Sequence, residues 1–267
     1  MQPPHELLAD WKLTDPVPLA DTPRALLWRV RYRGTSAVLK LARPDAAEEV
    51  RGGMVLRWYD GIGAARVLQM SGRAILMEAL SGPRLGDIVR GGEDARATAI
   101  LAGVIAGLHH DRPPPPAGLE PLALRMQPLL ERASSGPLAE AATIARQLLR
   151  DPAPVVVLHG DLHHDNILGS DRGWLAIDPK GVLGDLAYEP ANAFRNPEGM
   201  GDLARHPDRI AALAATLSVG PGLDRRRLLG WAAAHCGLSC CWHDKDHRAV
   251  RAELAQLSPL LAAYRSG

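Results

Sequence analysis

The chain of 267 residues has few cysteines and almost no net charge. Its three cysteines, Cys236, Cys240 and Cys241, lie within six positions of one another. An odd, clustered set of this kind does not provide the disulfide framework of a secreted scaffold. The 31 basic and 30 acidic side chains leave a formal net charge of +1. This balance removes any overall reason to expect nucleic acid or an anionic membrane as a partner.

Long apolar runs and a secretion signal are also missing. No apolar run reaches the roughly 20 residues that a membrane-spanning helix needs. The first residues lack a basic segment followed by an apolar one, so no signal peptide is expected. These absences predict a cytoplasmic protein that binds neither nucleic acid nor membrane.

Lysine is scarce as well: Lys12, Lys40, Lys180 and Lys245 are the only four, so 31 − 4 leaves 27 arginines. Lys12 and Lys245 have polar neighbours, and the sequence suggests no firm role for Lys180. Lys40 lies in the apolar segment Ala37–Leu41, where a cation is costly unless it has a partner. In a chain that prefers arginine, a lysine in such a place is more informative than usual and is a candidate functional residue. The alternative is an edge-strand lysine that discourages aggregation.

Apolar patterning divides the chain at about residue 80. Short alternating or apolar runs predict about five strands and one inserted helix before that point, and helical periodicity dominates after it. The predicted strands are Pro16–Ala20, Leu26–Tyr32, Ser36–Leu41, Ala64–Met70 and Arg73–Ala79, and the inserted helix is Asp45–Tyr59. Later helical stretches are Leu85–Val89, Asp94–His109, Leu119–Arg132, Leu138–Leu149 and the region 207–264. The predicted fold class is α+β, with a small N-terminal antiparallel β lobe and a larger, mainly α-helical C-terminal lobe.

A β-like island within the helical half carries the strongest indication of chemistry. The apolar strand Val155–Leu158 leads into a polar loop with His159 and Asp161. Asn166 lies five positions after that acid, and a further strand delivers Asp178 twelve positions later. Kinase catalytic loops have this spacing, H-x-D-x-x-x-x-N followed by a metal-binding Asp. The alternative is a polar hairpin turn that happens to be rich in His and Asp.

Phosphoryl transfer explains these residue types. A carboxylate such as Asp161 can orient an acceptor hydroxyl and take its proton late in the reaction. Mg²⁺ prefers oxygen ligands in octahedral geometry, which Asp178 and the amide oxygen of Asn166 supply while leaving room for phosphate and water. His159 would brace the loop. The sequence therefore predicts ATP and Mg²⁺ as cofactors, Asp161 as the catalytic residue, and Asn166 and Asp178 as metal ligands.

The segments His159–Ile167 and Trp174–Pro179 resemble the aminoglycoside phosphotransferase family. The resemblance is strongest to its streptomycin 6-kinase and hydroxyurea phosphotransferase branch. Supporting matches are Leu19–Thr22, Glu49–Gly52, Gly181–Asp185 and Asp208–Ile210. Such a family implies a protein-kinase-like bilobal fold, with nucleotide bound by residues 1–80 and catalysis and substrate binding in residues 81–267. It also implies an ATP-dependent, antibiotic-inactivating kinase for a small hydroxyl compound.

The same resemblance assigns nucleotide contacts. Lys40 would contact the α- and β-phosphates and pair with Glu49 or Glu48, of which Glu49 fits the branch better. Backbone groups around Glu78 and Leu80 would pair with adenine, although an ordinary strand end is the alternative there.

Four motifs found in other kinases are absent. No G-x-G-x-x-G separates the first two strands, so the loop Asp21–Ala25 must cover the phosphates. There is no D-F-G or A-P-E, and hence no sign of an activation segment for protein substrates. The lack of a Walker A motif excludes a P-loop kinase.

A cationic acceptor is expected to meet carboxylates. The stretch Gly184–Asp202 carries four acids against the single base Arg195. The candidate substrate residues are His164, Asp185, Glu189, Glu198 and Asp202. Acids on a solvated loop surface are the alternative. The predicted partner is a small molecule, first a streptomycin-like aminoglycoside, with hydroxyurea or another hydroxylated metabolite as alternatives.

Other classes of protein are less consistent with the sequence. A non-catalytic pseudokinase would have lost Lys40, Asp161, Asn166 or Asp178, and all four are present. A metal-dependent hydrolase would need several converging histidines, whereas an Asn and two spaced acids suit Mg²⁺.

Zinc-ligand residue types cluster near the C-terminus, where Cys236 and Cys240 are four residues apart, as are His243 and His247. The apolar segment Leu228–Trp242 favours a buried core helix instead, because buried free cysteine behaves as a small hydrophobe. No C-x-x-C spacing supports zinc.

Overall fold

The structure, a computed structural model, describes residues 2–133, 135–151, 153–243 and 246–267. Lys245 lies outside these residues. The N-terminal part is a five-stranded antiparallel sheet in the order β1-β2-β3-β5-β4. Its strands are β1 Leu13–Asp21, β2 Ala25–Tyr32, β3 Thr35–Ala42, β4 Val67–Ser71 and β5 Ala74–Glu78. Helix α1, His5–Asp10, precedes the sheet, and helix α2, Ala47–Tyr59, connects β3 to β4.

In the central strand β3, one residue packs in the apolar core and the next lies on the opposite face of the sheet, at the candidate site. Successive side chains of a strand point to opposite faces of the sheet. Leu39 packs with Trp28 and Leu76 in an apolar cluster that solvent does not reach. Lys40, the next residue, therefore faces the other side, where α2 lies against the sheet.

The C-terminal part is mainly helical. Its helices are α3 Leu85–Arg90, α4 Asp94–Leu108, α5 Leu122–Arg125, α6 Gln127–Arg132, α7 Gly136–Arg150, α8 Gly201–Arg205, α9 Pro207–Val219, α10 Arg225–Trp242 and α11 His247–Ser266. Its strands are β6 Glu120–Pro121, β7 Val155–Leu158, β8 Ile167–Ser170, β9 Gly173–Ala176 and β10 Val182–Asp185. They form a small sheet in the order β6-β10-β7 and the hairpin β8-β9.

Helix α10 is the centre of the helical part. It contacts α6, α7, α9 and α11, and apolar or small residues on all its sides allow it to be buried along most of its length. Cys236, Cys240 and Cys241 are buried thiols on this helix. Within the described part of the chain, no three His, Cys, Asp or Glu side chains are grouped to hold a metal ion.

The α+β architecture is confirmed, and so are the five N-terminal strands and their inserted helix. The single helical stretch predicted over Leu119–Arg132 is wrong: Glu120–Pro121 pairs with β10, and two short helices follow. The lobe boundary at residue 80 stays a prediction; β5 ends at Glu78 and α3 begins at Leu85. Among the residues described, no helix is both long and apolar enough to cross a membrane.

Candidate active site

The loop after β7 presents Asp161 between two asparagine side chains. Asn192 donates its Nδ2 to Asp161 Oδ1 at 2.7 Å. Asn166 donates its Nδ2 to the backbone oxygen of Asp161 at 3.0 Å and approaches Oδ2 at 3.4 Å. Arg195 holds the amide of Asn192 in turn, through a 3.0 Å bond to Oδ1. These bonds fix the direction of the Asp161 carboxylate, which is half-buried and faces a cavity.

His159 braces this loop, as the sequence predicts. Its buried ring lies 2.8 Å from the carbonyl oxygen of Ile177 through Nε2, and Nδ1 accepts the Asp161 N–H at 3.3 Å. The ring therefore ties the loop to the segment that carries Asp178. Burial lowers the pKa of His159, which favours the neutral ring that these two bonds require.

Four charged side chains, Lys40, Glu49, Asp178 and Lys180, meet beside the loop; we call them the lysine–carboxylate square. Lys40 contacts Glu49 Oε2 and Asp178 Oδ1. Lys180 Nζ lies 3.0 Å from Glu49 Oε1 and 3.0 Å from Asp178 Oδ2. Each carboxylate thus offers one oxygen to each ammonium. Glu49, the preferred of the two partners predicted for Lys40, is in contact with it. Glu48, the other candidate, pairs with Arg24 at 3.3 Å.

Attraction within the square keeps Lys180 and Asp178 charged. Burial opposes the charged forms of both Lys180 and Asp178. The carboxylates of Asp178 and Glu49 nevertheless raise the pKa of Lys180, and the two lysines hold the pKa of Asp178 below its usual value. Both groups are therefore ionised at neutral pH.

The backbone around Asp178 brings helix α2 and the catalytic loop together. Asp178 has a left-handed backbone with φ of 60°, a conformation that Asp tolerates better than most residues. A Cβ at Gly52 of α2 would lie 1.9 Å from the carbonyl oxygen of Pro179. Only glycine permits this approach. The Lys180 N–H then donates to the His159 carbonyl at 2.7 Å.

Asn166 and Asp178 form a donor set that fits Mg²⁺. The Nδ2 of Asn166 is engaged with Asp161, so the amide oxygen is the atom left for a cation. One carboxylate and one amide oxygen suit a hard ion that keeps waters and phosphate oxygens as its other ligands. They do not suit a soft metal, which prefers thiolate or imidazole.

Of the backbone groups predicted to pair with adenine around Glu78 and Leu80, some already have hydrogen-bond partners within the protein. The backbone N–H of Glu78 donates to Arg66 O at 3.0 Å, and its carboxylate accepts the Arg66 N–H at 2.7 Å and pairs with Arg172. That N–H is therefore not free for a base. Leu80 lies just beyond β5, and Gly82, two residues on, donates to the Gly169 carbonyl at 3.0 Å. This bond holds the connection between the lobes.

A cavity of about 470 Å³ opens between the lobes beside Asp161. Its lining residues are Arg24, Glu48, Glu120, Leu124, Arg125, Pro128, Asp161, Lys180, Trp242 and His243. Glu120 accepts from Arg125 at 2.9 Å and from Arg51 at 3.5 Å, both through Oε2. The Arg125 guanidinium stacks 5.2 Å from the Trp242 ring centre, and Trp242 is 45% exposed.

None of the five substrate residues suggested by the sequence lines this cavity. Three of them have inward roles. Asp185 accepts the Ala187 N–H and pairs with Arg227. Glu189 is buried and accepts the His159 N–H at 2.9 Å. His164 is fully buried, and neither ring nitrogen has a hydrogen-bond partner among the described residues.

The other two candidates lie on the surface. Glu198 is exposed and donates its backbone N–H to Asp165 at 3.3 Å. Asp202 is fully exposed and pairs with Arg205 in the same helix. Substrate contact by these five side chains stays a prediction, and other residues line the cavity beside Asp161. A run of acids along the sequence does not determine which way each side chain points.

Several site residues were missed from the sequence. Lys180 could have been found, because it is one of four lysines and lies two positions after Asp178. Glu120 and Trp242 carry no local motif, since distant elements bring them to the cavity. Asn192 likewise has no local signal.

A two-lobed fold with this Asp–Asn loop and a lysine–glutamate pair is typical of a protein-kinase-like phosphotransferase. The profile of the family described as "Aminoglycoside/hydroxyurea antibiotic resistance kinase" matches residues 10–247. The chain belongs to this family. The family and the enzyme class expected from the sequence are thereby confirmed.

Curated relatives agree with this assignment. The chain is 43% identical over 244 residues to the streptomycin 3''-kinase of Klebsiella pneumoniae, and the aligned region covers 88% of this chain and 90% of that protein. It is 35% identical over 260 residues to the hydroxyurea phosphotransferase of Kitasatospora aureofaciens, covering 90% and 72%. It is 33% identical over 267 residues to the streptomycin 6-kinase of Streptomyces glaucescens, covering 92% and 83%.

Solved structures share the fold at low sequence identity. The ethanolamine kinase of Plasmodium vivax superposes with a TM-score of 0.66 at 14% identity, covering 98% of this chain and 85% of that one. A mutant of aminoglycoside phosphotransferase APH(4)-Ia, bound to ADP and hygromycin B, gives 0.63 at 14% identity, covering 98% and 97%. These likenesses confirm the protein-kinase-like fold.

Proposed function

We propose that this chain transfers the γ-phosphoryl group of ATP to a hydroxyl of streptomycin. The observation that carries the proposal is the cavity of about 470 Å³, onto which both Asp161 and Lys180 open. Cavities of roughly 300–1,000 Å³ take drug-sized ligands. The 43% identity to a streptomycin 3''-kinase supplies the acceptor class.

In the proposed reaction the acceptor hydroxyl lies in the cavity with its proton directed at Asp161. Its oxygen bonds to the γ-phosphorus, the bond from that phosphorus to the β,γ-bridging oxygen breaks, and ADP leaves with the electron pair. Asp161 takes the hydroxyl proton late in the step. Mg²⁺, held by Asn166 and Asp178, would offset the charge of the phosphates.

Nucleotide binding would use the other predicted residues. Lys40, paired with Glu49, would contact the α- and β-phosphates, and the backbone at Leu80 with the carbonyl of Glu78 would meet adenine. The proposed division is residues 1–80 for nucleotide and 81–267 for catalysis and acceptor. Dependence on ATP supports a cytoplasmic location.

The cavity offers contacts for a cationic acceptor. Both arginines that approach Glu120 contact Oε2, so Oε1 is the oxygen that a substrate cation would meet. The exposed Trp242 ring supplies an aromatic face of the kind that binds cations. Glu48 adds a second carboxylate from the N-terminal lobe. We propose these residues as acceptor contacts ahead of the acids between residues 184 and 202.

We propose the 3''-hydroxyl as the site of transfer, because the relative with that activity is 43% identical whereas the 6-kinase of S. glaucescens is 33% identical. The 6-kinase activity expected from the sequence is the alternative. Hydroxyurea is a second candidate acceptor because of the 35% identical relative. The cavity is far larger than that molecule of a few non-hydrogen atoms needs.

The test is a coupled assay of ADP release with MgATP and streptomycin, hydroxyurea or a panel of hydroxylated metabolites. We expect streptomycin-dependent ADP release and a product one phosphate heavier, modified at the 3''-oxygen by NMR. Modification at the 6-oxygen would reject the position alone. Transfer to hydroxyurea without transfer to streptomycin would reject the acceptor, and nucleotide binding without turnover on any compound would indicate a pseudokinase.

A further inference from the structure

Lys180 is the one residue of the lysine–carboxylate square to which the proposed reaction assigns no role. Its ammonium is buried to 13% exposure and lies 3.0 Å from one oxygen of Glu49 and 3.0 Å from one oxygen of Asp178. Its backbone N–H is held by the carbonyl of His159. Lysine side chains are flexible, but Lys180 is held in place at both its backbone and its ammonium group.

The two lysines approach the square from opposite sides. Lys40 comes from strand β3 of the N-terminal sheet. Lys180 comes from the segment after Asp178, and its side chain lines the same cavity as the catalytic carboxylate Asp161. The γ-phosphoryl group must pass from the nucleotide side to this cavity. Lys180 therefore lies where the group arrives.

Electrostatics favours the same location. The Lys180 ammonium lies 3.0 Å from Glu49 and 3.0 Å from Asp178 and lines the same cavity as Asp161, the base that receives the acceptor proton. Phosphoryl transfer is stabilised mainly by positive charge placed against the equatorial oxygens of the transferred group.

We propose that Lys180 is a further catalytic residue, a second phosphate-binding cation that contacts the γ-phosphoryl group from the acceptor side. Lys40 holds the α- and β-phosphates, and Lys180 binds only the group that is transferred. The proposal rests on the kinase reaction proposed above but not on the identity of the acceptor. Lys180 loses no proton in this role; it shifts from its carboxylate partners toward the phosphoryl oxygens.

The competing explanation is a structural clamp. Lys180 joins Glu49 of helix α2 to Asp178 of the C-terminal lobe, and an ion pair that bridges two lobes could serve only to hold them together. A clamp would affect every nucleotide equally. A contact to the γ-phosphoryl group would affect only nucleotides that carry one.

The experiment compares the dissociation constants of ADP and the non-hydrolysable analogue AMP-PNP, measured by calorimetry with Mg²⁺ and without acceptor. The variant is Lys180→Met, and the matched control is Lys12→Met, the same change at an exposed lysine. Lys180→Gln is a second variant, because its amide can still donate to both carboxylates if the methionine variant fails to fold. Lys40→Met is the comparison on the nucleotide side, and melting temperature reports on folding.

We expect Lys180→Met and Lys180→Gln to weaken AMP-PNP binding by about tenfold or more while ADP binding changes by less than about twofold. Lys40→Met should weaken both nucleotides, and Lys12→Met neither. Equal weakening of ADP and AMP-PNP, with a lower melting temperature, would establish the clamp and overturn the proposal, as would unchanged binding of both. Because no acceptor is used, a chain that fails to phosphorylate streptomycin would refute the proposed acceptor and leave this result decisive for Lys180.

Discussion

Single residues decide the chemistry of the site, and Asp161 is the clearest case. Two asparagines bond to it, at 2.7 Å from Asn192 and 3.0 Å from Asn166. An amide in place of the carboxylate would keep the size of the side chain but could not accept the hydroxyl proton. Replacing Asp161 by Asn therefore tests whether the carboxylate itself, rather than a side chain of that size, is needed.

Asp161→Asn is expected to lower kcat by about 10²–10⁴-fold, the usual contribution of a general base. Nucleotide affinity should stay near that of the wild type, because Asp161 contacts no nucleotide group in the proposed reaction. Steady-state kinetics with streptomycin and calorimetry with AMP-PNP measure the two quantities. Asp171→Asn, at an exposed position in the β8–β9 turn, is the control. Full turnover in the Asp161 variant would remove it as the base.

A second residue-scale prediction concerns the acceptor. Glu120→Gln should raise the KM for streptomycin by roughly tenfold, the size of one lost charge-assisted contact. The KM for ATP should not change, since Glu120 lies on the cavity wall. Glu93→Gln, an exposed change in an ion pair with Arg96, is the matched control. An unchanged KM for streptomycin would exclude Glu120 from the acceptor site.

The sequence predicted the arrangement of residues around Asp161 more fully than the lining of the cavity, for a physical reason. Asp161, Asn166 and Asp178 are separated by short, regular segments, so their spacing determines their geometry. Glu120 and Trp242 are far apart in the chain and meet only through the packing of helices. The acids between residues 184 and 202 were chosen by local density, which carries no information about side-chain direction.

At the scale of secondary-structure elements, the contact of helix α2 with Pro179 determines the position of Glu49. A Cβ at Gly52 would approach the Pro179 carbonyl to 1.9 Å, and the obstacle is backbone, so α2 must shift. Glu49 lies one turn earlier on the same helix and would move with it. In the proposed function, packing at this contact is therefore linked to nucleotide binding.

Gly52→Ala is expected to destabilise the fold by about 1–3 kcal/mol, the usual cost of overpacking, and to raise the KM for ATP. Gly103→Ala is the matched control, because Gly103 is an exposed residue of α4 with no atom within 4 Å of an added Cβ. It should stabilise the fold by about 0.5–1 kcal/mol. Denaturant unfolding measures both. Equal effects of the two substitutions would contradict the contact.

Element boundaries show the same limit of prediction as the residues do. The N-terminal strands were found because each has its own apolar pattern bounded by turn residues. Strand β6 is only Glu120–Pro121 and exists through its pairing with Val182 and Leu183 of β10. A pairing across some 60 residues leaves no local pattern, so the region was predicted as helix.

For the molecule as a whole, buried histidines link stability to pH. Burial, and next the charge of Arg209, lower the pKa of His164 to about 3. Burial likewise lowers the pKa of His235 well below its usual value. In the unfolded chain histidine titrates near pH 6.5. Between that pH and about 3 the unfolded chain binds more protons than the folded one, so stability is lost as the pH falls.

We therefore expect the free energy of unfolding to decrease from pH 7.5 to pH 5, with His164 contributing up to about 1.4 kcal/mol per pH unit below pH 6.5. Urea unfolding at several pH values measures the slope. His164→Gln should make the slope shallower. His5→Gln, on an exposed part of α1, is the control. A slope that is the same in wild type and His164→Gln would show that this ring does not carry the effect.

The lysine–carboxylate square also restricts how this sequence can diverge. Its two positive and two negative groups balance, so the loss of any one leaves an uncompensated charge in a largely buried place. Breaking such a group one member at a time costs more than removing opposite charges together. A single substitution at any one of the four residues is therefore unfavourable as long as the other three are kept. Descendants of this chain are expected to keep all four or to lose a lysine and an acid in the same lineage.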